Sequence, residues 1–591
     1  MRTWSRTGRS RWPGPARNCW PTYARGNRIW EDWIDERRNA EVGVAMSSSQ
    51  PSGLTYPQLL EHQARVRPDS LAVATPHQRA TWRALADDVA RHGAALQALG
   101  VGEGAKVGIL MPNCYEWVVW AYAAASIGAV VVPANTRFRE AELAYQLTAS
   151  DTEVLVLAPE INGVDFMGML QSLAPELAGA APGCWRSASL PRLRHVVSVG
   201  AATAPMGAWR GDRIAPAPDS AAQERVRAAM AQVAPDDPAI IQYTSGSTAF
   251  PKGVLLSHRS TVLNAFHVNQ RLGIDASDRV FVPGPFFHVG GSTLGMLLGL
   301  LAGAPIYTLP RFDPAQVLDA VQRERITVYS GVDSLFLSLY KHSDFRRDRF
   351  ASVCKGWIAS SPEVVRAVQR DMGFTGVANC YGISEASPNI TIGALDEPPE
   401  LRAATCGLPH AECEVKVVDP ETGREQPRGE AGEILFRGYS LMLGYYKNPE
   451  ETARAIDGDG WLHTGDKGVV RPSGHLEYHG RIKDMLRVGG ENLAPAQVEE
   501  VLLQHPKVRQ AVVVGLPDER LVEVPAAVVE LKDGEQCTVE EINAWCQERL
   551  APFKVPRIVA FVDQMPMTGS GKIQKFRIRQ EVFGISPGSR T

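Results

Sequence analysis

The 591-residue sequence lacks three features that would place it in a specialised class of protein. Its nine cysteines include no C-x-x-C pair, which argues against a zinc site or a disulfide framework and favours a reducing, cytoplasmic location. Lys and Arg number 62 against 65 Asp and Glu, so no strong charge of one sign would attract nucleic acid or an anionic membrane. No apolar run reaches the roughly 20 residues of a membrane span. The apolar stretches 117–132 and 294–301 are therefore predicted to be buried.

The N-terminal segment differs from the rest of the chain. Residues 1–30 carry seven Arg and no acidic residue, and they contain three prolines and no apolar run typical of a secretory signal. A transit peptide stays open as an alternative. We expect residues 1–45 to be a disordered or non-native extension, with Met46 as the functional start.

The overall composition is that of a globular protein, with 44% hydrophobic and 21% charged residues, which excludes a disordered or fibrous chain. Strand-like and helix-like segments alternate from residue 71 to 157 and again from 239 to about 390, which predicts parallel sheets covered by helices. Residues 201–237 are predicted to be a surface excursion. Residues 407–470 are mostly strand-like, and a compact helix-and-strand unit follows at 492–583. We expect an N-terminal domain over 46–482 and a C-terminal domain over 483–591.

One segment has the composition of a phosphate-binding loop. Residues 243–253, Tyr-Thr-Ser-Gly-Ser-Thr-Ala-Phe-Pro-Lys-Gly, follow an apolar strand and do not satisfy the Walker A pattern. Small residues allow backbone N–H groups to approach an anion closely, and Lys252 adds a positive charge. The candidate phosphate ligands in this loop are Thr244, Ser245, Gly246, Ser247, Thr248 and Lys252.

Five further motifs follow that loop in order. They are Asn-Cys-Tyr-Gly-Ile-Ser-Glu (379–385), Gly-Trp-Leu-His-Thr-Gly-Asp (460–466), Gly-Arg-Ile-Lys-Asp-Met (480–485), Val-Gly-Gly-Glu-Asn (488–492) and Thr-Gly-Ser-Gly-Lys-Ile (568–573). With them, the chain resembles the adenylate-forming (AMP-binding) superfamily, and specifically its acyl-CoA synthetases, over about residues 55–583. Ala249 is a departure, because the family usually has Gly there. If that position needs a positive φ, Ala costs on the order of 1 kcal/mol.

The resemblance implies an α/β fold. It would comprise a large N-terminal domain of parallel α/β sheets with a small β-barrel-like unit at about 407–470, and a small mobile C-terminal α+β domain. Lys483 matches the family's hinge between the two domains.

The resemblance also implies an ATP-dependent ligase of fatty acid or lipid metabolism. It would activate a carboxylic acid (fatty, cyclic or aryl) as acyl-AMP with release of pyrophosphate, then transfer the acyl group to coenzyme A. Glu385 would hold Mg²⁺, a metal that prefers hard oxygen ligands. Lys572 would reach the carboxylate and the α-phosphate. The other implied ATP or AMP contacts are Ala359, Tyr381 at adenine, Gly382, Ser384 at the α-phosphate, and Asp466 with Arg481 at the ribose.

A Phe-Phe-His segment at 286–288 resembles the gate of the family's acyl tunnel. It carries no Asp to bind a substrate ammonium, which favours a simple carboxylic acid over an amino acid. Trp357 is bulky for its position. If it points into the pocket, it would favour a medium-chain, cyclic or aromatic acid; if it points into the core, that inference disappears. The predicted acyl pocket contains Phe287, His288, Gly290, Trp357 and Ile383, and Gly489 and Gly490 would face coenzyme A.

The sequence is compatible with two alternative functions. One is an enzyme that delivers the acyl group to a carrier protein, although no carrier segment is apparent in the chain. The other is a degenerate nucleotide-binding regulator, suggested by Ala249. The expected partners are a small-molecule carboxylic acid, coenzyme A and, in a homodimer, a second copy of the chain. Neither a nucleic-acid partner nor a transmembrane segment is expected.

Overall fold

The computed structural model describes residues 55–200, 207–214, 220–244, 251–482, 486–488, 491–493, 495–518, 521–550, 552–567 and 573–585. The predicted extension at 1–45 and parts of the surface excursion at 201–237 lie outside these residues.

Strands and helices alternate through the first two thirds of the chain. The strands are β1 (Leu71–Ala74), β2 (Arg79–Thr81), β3 (Lys106–Leu110), β4 (Val130–Pro133), β5 (Val154–Leu157), β6 (Glu160–Ile161), β7 (Val164–Asp165), β8 (His195–Ser198), β9 (Trp209–Arg210), β10 (Pro238–Thr244), β11 (Lys252–Ser257), β12 (Val280–Phe281), β13 (Ile306–Tyr307), β14 (Val328–Tyr329), β15 (Gly331–Val332), β16 (Gly356–Ala359), β17 (Val377–Gly382), β18 (Asn389–Ile392), β19 (Leu408–Pro409), β20 (Cys413–Val418), β21 (Ala431–Gly438), β22 (Gly444–Tyr445), β23 (Leu462–Val470), β24 (Leu476–Arg481), β25 (Leu486–Val488), β26 (Glu491–Leu493), β27 (Val508–Asp518), β28 (Val522–Leu531) and β29 (Ile558–Phe561). The α-helices are α1 (Tyr56–Val66), α2 (Trp82–Ala98), α3 (Tyr115–Ser126), α4 (Glu140–Ala149), α5 (Phe166–Leu173), α6 (Gly211–Ile214), α7 (Ser220–Met230), α8 (His258–Leu272), α9 (Val289–Gly291), α10 (Leu297–Ala302), α11 (Pro314–Arg323), α12 (Asp333–Tyr340), α13 (Pro362–Asp371), α14 (Pro399–Ala404), α15 (Pro449–Ala455), α16 (Pro495–Leu503), α17 (Val539–Gln547) and α18 (Lys575–Arg577).

The largest sheet has eight strands in the order β22-β11-β10-β4-β3-β5-β8-β9. Its pairs are parallel from β10 to β9, while β11 is antiparallel to both β10 and β22. Every residue of β4 and β5 is buried, as expected for parallel strands covered on both faces. Helix α3 is buried along its length apart from Glu116. The apolar stretch 117–132 is therefore core helix and core strand, as predicted from its length.

Two five-stranded sheets accompany the eight-stranded sheet. One has the order β14-β12-β13-β1-β2, and the other has the order β15-β16-β17-β18-β19. In the second sheet, β15, β16 and β17 are parallel, with Val332 opposite Ala359 and Ile358 opposite Asn379. The carboxyl ends of these three strands consequently lie along one edge.

Residues 413–481 contain a four-stranded antiparallel sheet in the order β20-β21-β23-β24. Within the described residues its end strands do not pair with each other, so the predicted barrel-like unit is an open sheet. The last sheet has the order β26-β25-β28-β27, and β29 pairs in parallel with β28. Helices α16 and α17 pack on it through a separate apolar core that includes Val498, Val513 and Ile542. Among the described residues, no helix is both long enough and apolar enough to cross a bilayer.

Candidate active site

The carboxyl ends of β16 and β17 bring several predicted nucleotide contacts to one edge of a sheet. Ala359 is the last residue of β16, and Tyr381 and Gly382 end β17. After Ile383, Ser384 and Glu385 follow in a single 3₁₀ turn. Open α/β sheets bind ligands outside the carboxyl ends of their strands, so these residues stand where a ligand is expected.

The segment that carries Glu385 is held by a buried asparagine of α8. The Asn264 side-chain amide donates to the Asn389 carbonyl at 2.6 Å, and the Asn389 N–H donates to Asn264 Oδ1 at 3.1 Å. Gly382 allows the chain to double back, because a Cβ there would lie 2.1 Å from the Pro388 carbonyl oxygen. Sequence reasoning missed Asn264, since its spacing of more than 100 residues from Glu385 gives no signal.

Asp466 is the centre of a buried polar cluster. The Tyr381 hydroxyl donates to Asp466 Oδ2 at 2.6 Å, and Arg481 Nε lies 2.8 Å from Asp466 Oδ1. Asp466 and Arg481 are directly opposite on β23 and β24, which fixes their separation. Only 2% of the Asp466 side chain is exposed, against 44% for Arg481. Three residues predicted from separate motifs therefore meet at one place.

Tyr381 is buried, and its ring stacks on Tyr478 with centroids 5.3 Å apart. Burial, and then the neighbouring Asp466, raise the pKa of Tyr381 well above its ordinary value. Its hydroxyl therefore stays protonated and acts as a hydrogen-bond donor at neutral pH. The adenine-stacking role stays a prediction. The half-exposed Tyr478 was not predicted from the sequence, because it precedes the Gly-Arg motif without belonging to it.

The predicted phosphate loop connects β10 to β11. Thr244 and Lys252 are opposite each other in this antiparallel pair and so mark the two ends of the loop. The Lys252 ammonium forms an ion pair with Glu451 of α15 and lies 4.9 Å from the centroid of the Tyr445 ring. The loop residues Ser245, Gly246, Ser247, Thr248 and Ala249 lie outside the described residues.

Glu385 has a neighbour that the sequence did not indicate. The Tyr445 hydroxyl donates to Glu385 Oε1 at 2.8 Å. Within the described part of the chain, no group of three or more His, Cys, Asp or Glu side chains could hold a metal ion by itself. A single carboxylate near a phosphate loop fits Mg²⁺, which takes most of its ligands from water and from substrate phosphates.

A small cavity of about 70 Å³ lies beside this edge. Its wall includes three of the predicted acyl-pocket residues, His288, Gly290 and Trp357, together with Val332 at the end of β15. His288 caps the short helix that follows it, because its Nδ1 accepts the Gly290 N–H at 3.1 Å. Trp357 thus lies in the cavity wall as well as against the core. Phe287 and Ile383 are not among the lining residues.

Four predicted residues, Lys483, Gly489, Gly490 and Lys572, lie outside the described residues. The loop that contains Lys572 is bounded by an antiparallel bridge between Met567 and Ile573. Met567 lines a groove together with Ser334 and Leu337 of α12. The intervening Leu335 lines the small cavity, so α12 borders both the groove and the cavity.

Comparison with known proteins agrees with this geometry. The family model of the AMP-binding enzymes matches residues 60–446, and that of the AMP-binding enzyme C-terminal domain matches residues 497–572. YngI of Bacillus subtilis, named provisionally as an acyl-CoA synthetase, is 39% identical over 90% of this chain and 98% of its own length. The mitochondrial medium-chain acyl-CoA ligase of Homo sapiens is 34% identical over 89% of this chain and 87% of its own length.

Solved structures give the same result. An anthranilate CoA ligase in complex with anthranoyl-AMP has a TM-score of 0.78 and 27% identity, and the match covers 91% of this chain and 98% of that one. The chain therefore belongs to the AMP-binding enzyme family, and the predicted class, an acyl-CoA synthetase-like, ATP-using, adenylate-forming ligase with an α/β fold, is confirmed. Because the human relative is mitochondrial, the cytoplasmic location stays a prediction.

Replacing Asp466 tests its predicted role at the ribose of ATP. Asp466→Asn keeps an acceptor for the Tyr381 hydroxyl but removes the charge that would bind ribose hydroxyls. Hydrogen bonds to charged groups contribute about 1.5–3 kcal/mol, so we expect ATP to bind roughly tenfold or more weakly. Isothermal titration calorimetry with ATP measures this effect, and inorganic pyrophosphate, which has no ribose, should bind unchanged.

Asp151→Asn is the matched control, because Asp151 also accepts a tyrosine hydroxyl, that of Tyr446, and pairs with a cation, Lys447. Equal losses of ATP affinity in the two variants, or a loss of pyrophosphate binding in Asp466→Asn, would contradict a ribose role.

Proposed function

We propose that this protein joins a compact carboxylic acid to coenzyme A and converts ATP to AMP and pyrophosphate. The acid's carboxylate attacks the α-phosphorus and pyrophosphate leaves; the thiol of coenzyme A then attacks the acyl carbonyl and AMP leaves. The observation that carries the proposal is the shared sheet edge. Val332 of the acyl cavity is opposite Ala359 on β16, and β16 pairs with β17, which leads to Glu385.

In the first step this chain's residues would bind and orient ATP. Asp466 and Arg481 would hold the ribose, and Lys252, with the loop beginning at Thr244, would face the phosphates. Phosphoryl transfer depends mainly on positioning and on neutralising charge. Glu385 would hold Mg²⁺, which when bound neutralises phosphate charge. Fixed donors and charges require little reorganisation during the reaction.

We further propose that Lys572 contacts the carboxylate and the α-phosphate during the first step only. Its loop is bounded by Met567, which lines a groove with residues of α12, and movement of the C-terminal domain would withdraw Lys572 after the first step. Rotation at Lys483 would then bring Gly489 and Gly490 toward the acyl group to admit coenzyme A. This is gating by domain alternation, a conformational step that separates the two half-reactions.

The proposed acid is medium-chain, cyclic or aryl. A cavity of about 70 Å³ walled by Trp357 favours a compact acyl group over a long straight chain. The Trp357 side chain is only 7% exposed, and Gly290 faces it closely, because a Cβ on Gly290 would lie 3.7 Å from Trp357 Cη2. The names of two similar proteins, a medium-chain acyl-CoA ligase and an anthranilate CoA ligase, support the same size class.

Replacing Lys572 tests the two-step proposal. In Lys572→Ala we expect acid-dependent pyrophosphate release to fall by about 10²–10³-fold, the effect of removing one preorganised electrostatic partner. Thioester formation from supplied acyl-AMP and coenzyme A should change by less than about threefold, since Lys572 is withdrawn in that step.

The matched control is Lys554→Ala, which removes an ammonium that donates to Gln497 within the same domain. Equal losses in both half-reactions of Lys572→Ala, or unchanged pyrophosphate release, would refute the assignment.

Replacing Trp357 tests the substrate class. Trp357→Ala should enlarge the cavity and shift kcat/KM toward straight-chain acids several carbons longer. The ratio of long-chain to medium-chain kcat/KM should rise at least about tenfold, because one methylene in an apolar pocket changes discrimination by about 10–200-fold. Coupled assays over a series of acids measure this ratio.

Trp185→Ala controls for loss of a buried indole, because Trp185 packs in a separate core cluster with Leu155 and Phe166. An unchanged ratio in Trp357→Ala, or the same shift in both variants, would show that Trp357 does not limit acyl length.

A further inference from the structure

A short segment at 442–446 connects Lys252, at the end of the phosphate loop, with the turn that carries Glu385. Within it, β22 pairs with β11, the strand that begins at Lys252. Its Met442 N–H donates to the Glu385 carbonyl at 2.8 Å, and its Tyr446 N–H donates to the Gly253 carbonyl at 2.7 Å. Tyr445 is therefore fixed between the end of the phosphate loop and the Glu385 turn.

The side chain of Tyr445 contacts both charged groups. Its hydroxyl donates to Glu385 Oε1 at 2.8 Å, and its ring faces the Lys252 ammonium, 4.9 Å from the ring centroid. A cation over an aromatic face is attracted by the ring's quadrupole. One residue thus contacts the proposed metal carboxylate through its oxygen and the proposed phosphate lysine through its ring.

The surroundings keep Tyr445 in this orientation. Its N–H donates to Thr452 Oγ1 at 2.9 Å, which connects it to α15. The same helix supplies Glu451, the ion-pair partner of Lys252, and the hydrogen bond from Lys252 holds the pKa of Glu451 below its usual range. Lys252 is consequently held between an ionised carboxylate and an aromatic ring.

The Tyr445 hydroxyl is a permanent donor at neutral pH. A tyrosine hydroxyl loses its proton only at about pH 10, well above neutrality. The hydroxyl is the donor of this bond and Glu385 Oε1 is its acceptor.

We propose that Tyr445 is a positioning residue that sets the orientation of Glu385 toward Mg²⁺ and of Lys252 toward the ATP phosphates. The inference rests on the proposed function, since it takes Glu385 as the metal carboxylate. In this proposal Tyr445 acts through these two side chains, which it contacts, and not by binding substrate or metal itself. Hydrogen-bond partners of metal ligands typically change metal affinity by 10–100-fold when they are removed.

Tyr445→Phe tests this proposal with little change of shape. It removes the hydroxyl that orients Glu385 and keeps the ring beneath Lys252. The readout is the Mg²⁺ concentration that half-saturates binding of α,β-methylene-ATP, an analogue that cannot release pyrophosphate, measured by calorimetry. We expect this concentration to rise about tenfold in Tyr445→Phe.

Tyr446→Phe is the matched control. The neighbouring Tyr446 also donates its hydroxyl to a carboxylate, Asp151 Oδ2, at 2.9 Å, away from Glu385. It should leave the Mg²⁺ dependence at the wild-type value, and thermal melting of both variants should report comparable folding. Unchanged Mg²⁺ dependence in Tyr445→Phe, or equal shifts in both variants, would overturn the proposal.

Glu385→Gln separates this inference from the proposed function. A raised half-saturating Mg²⁺ concentration in Glu385→Gln, with no shift in Tyr445→Phe, would overturn the role of Tyr445 and leave the metal role of Glu385 standing. An unchanged value in Glu385→Gln would overturn both. Acid-dependent pyrophosphate release by the wild-type protein tests the ligase reaction independently of either variant.

Discussion

The arrangement of the candidate site depends on the parallel pairing of β15, β16 and β17. Their register places Val332, Ala359 and Gly382 at one edge, and the turn that follows β17 carries Glu385. The candidate acyl cavity and the proposed nucleotide contacts are neighbours because these strands end together. Close packing maintains the register, since a Cβ at Gly356 would lie 1.9 Å from the Tyr329 carbonyl oxygen.

Ion pairs and hydrogen bonds to charged groups connect the parts of the candidate site that come from distant segments of the chain. Asp466 is almost fully buried, and an isolated buried carboxylate would be costly, so its contacts with Tyr381 and Arg481 matter for stability as well as for the proposed binding of ribose. Lys252 is likewise neutralised by Glu451. This ion pair compensates the charge of Lys252 while no ligand is bound. In the proposed function, binding of the triphosphate would replace it with contacts to the substrate.

Much of this organisation was predictable because local patterns determine it. Alternating apolar segments indicated the parallel sheets, and the apolar stretch at 117–132 proved to be α3 followed by β4. Ordered motifs indicated Tyr381, Glu385, Asp466 and Arg481. Tyr445 and Asn264 were not predictable, because each contacts the Glu385 segment across 60 or more residues and only tertiary packing brings them together. The open four-stranded sheet likewise follows from strand pairing, which composition does not specify.

In the proposed function, one site couples acid activation to thioester formation. Its most direct test is release of pyrophosphate by the wild-type protein with ATP and Mg²⁺ over short, medium, long, cyclic and aryl acids, each with and without coenzyme A. We expect repeated turnover only when a compact acid and coenzyme A are both present. Equal turnover without coenzyme A, or no release with any acid although ATP binds, would contradict it.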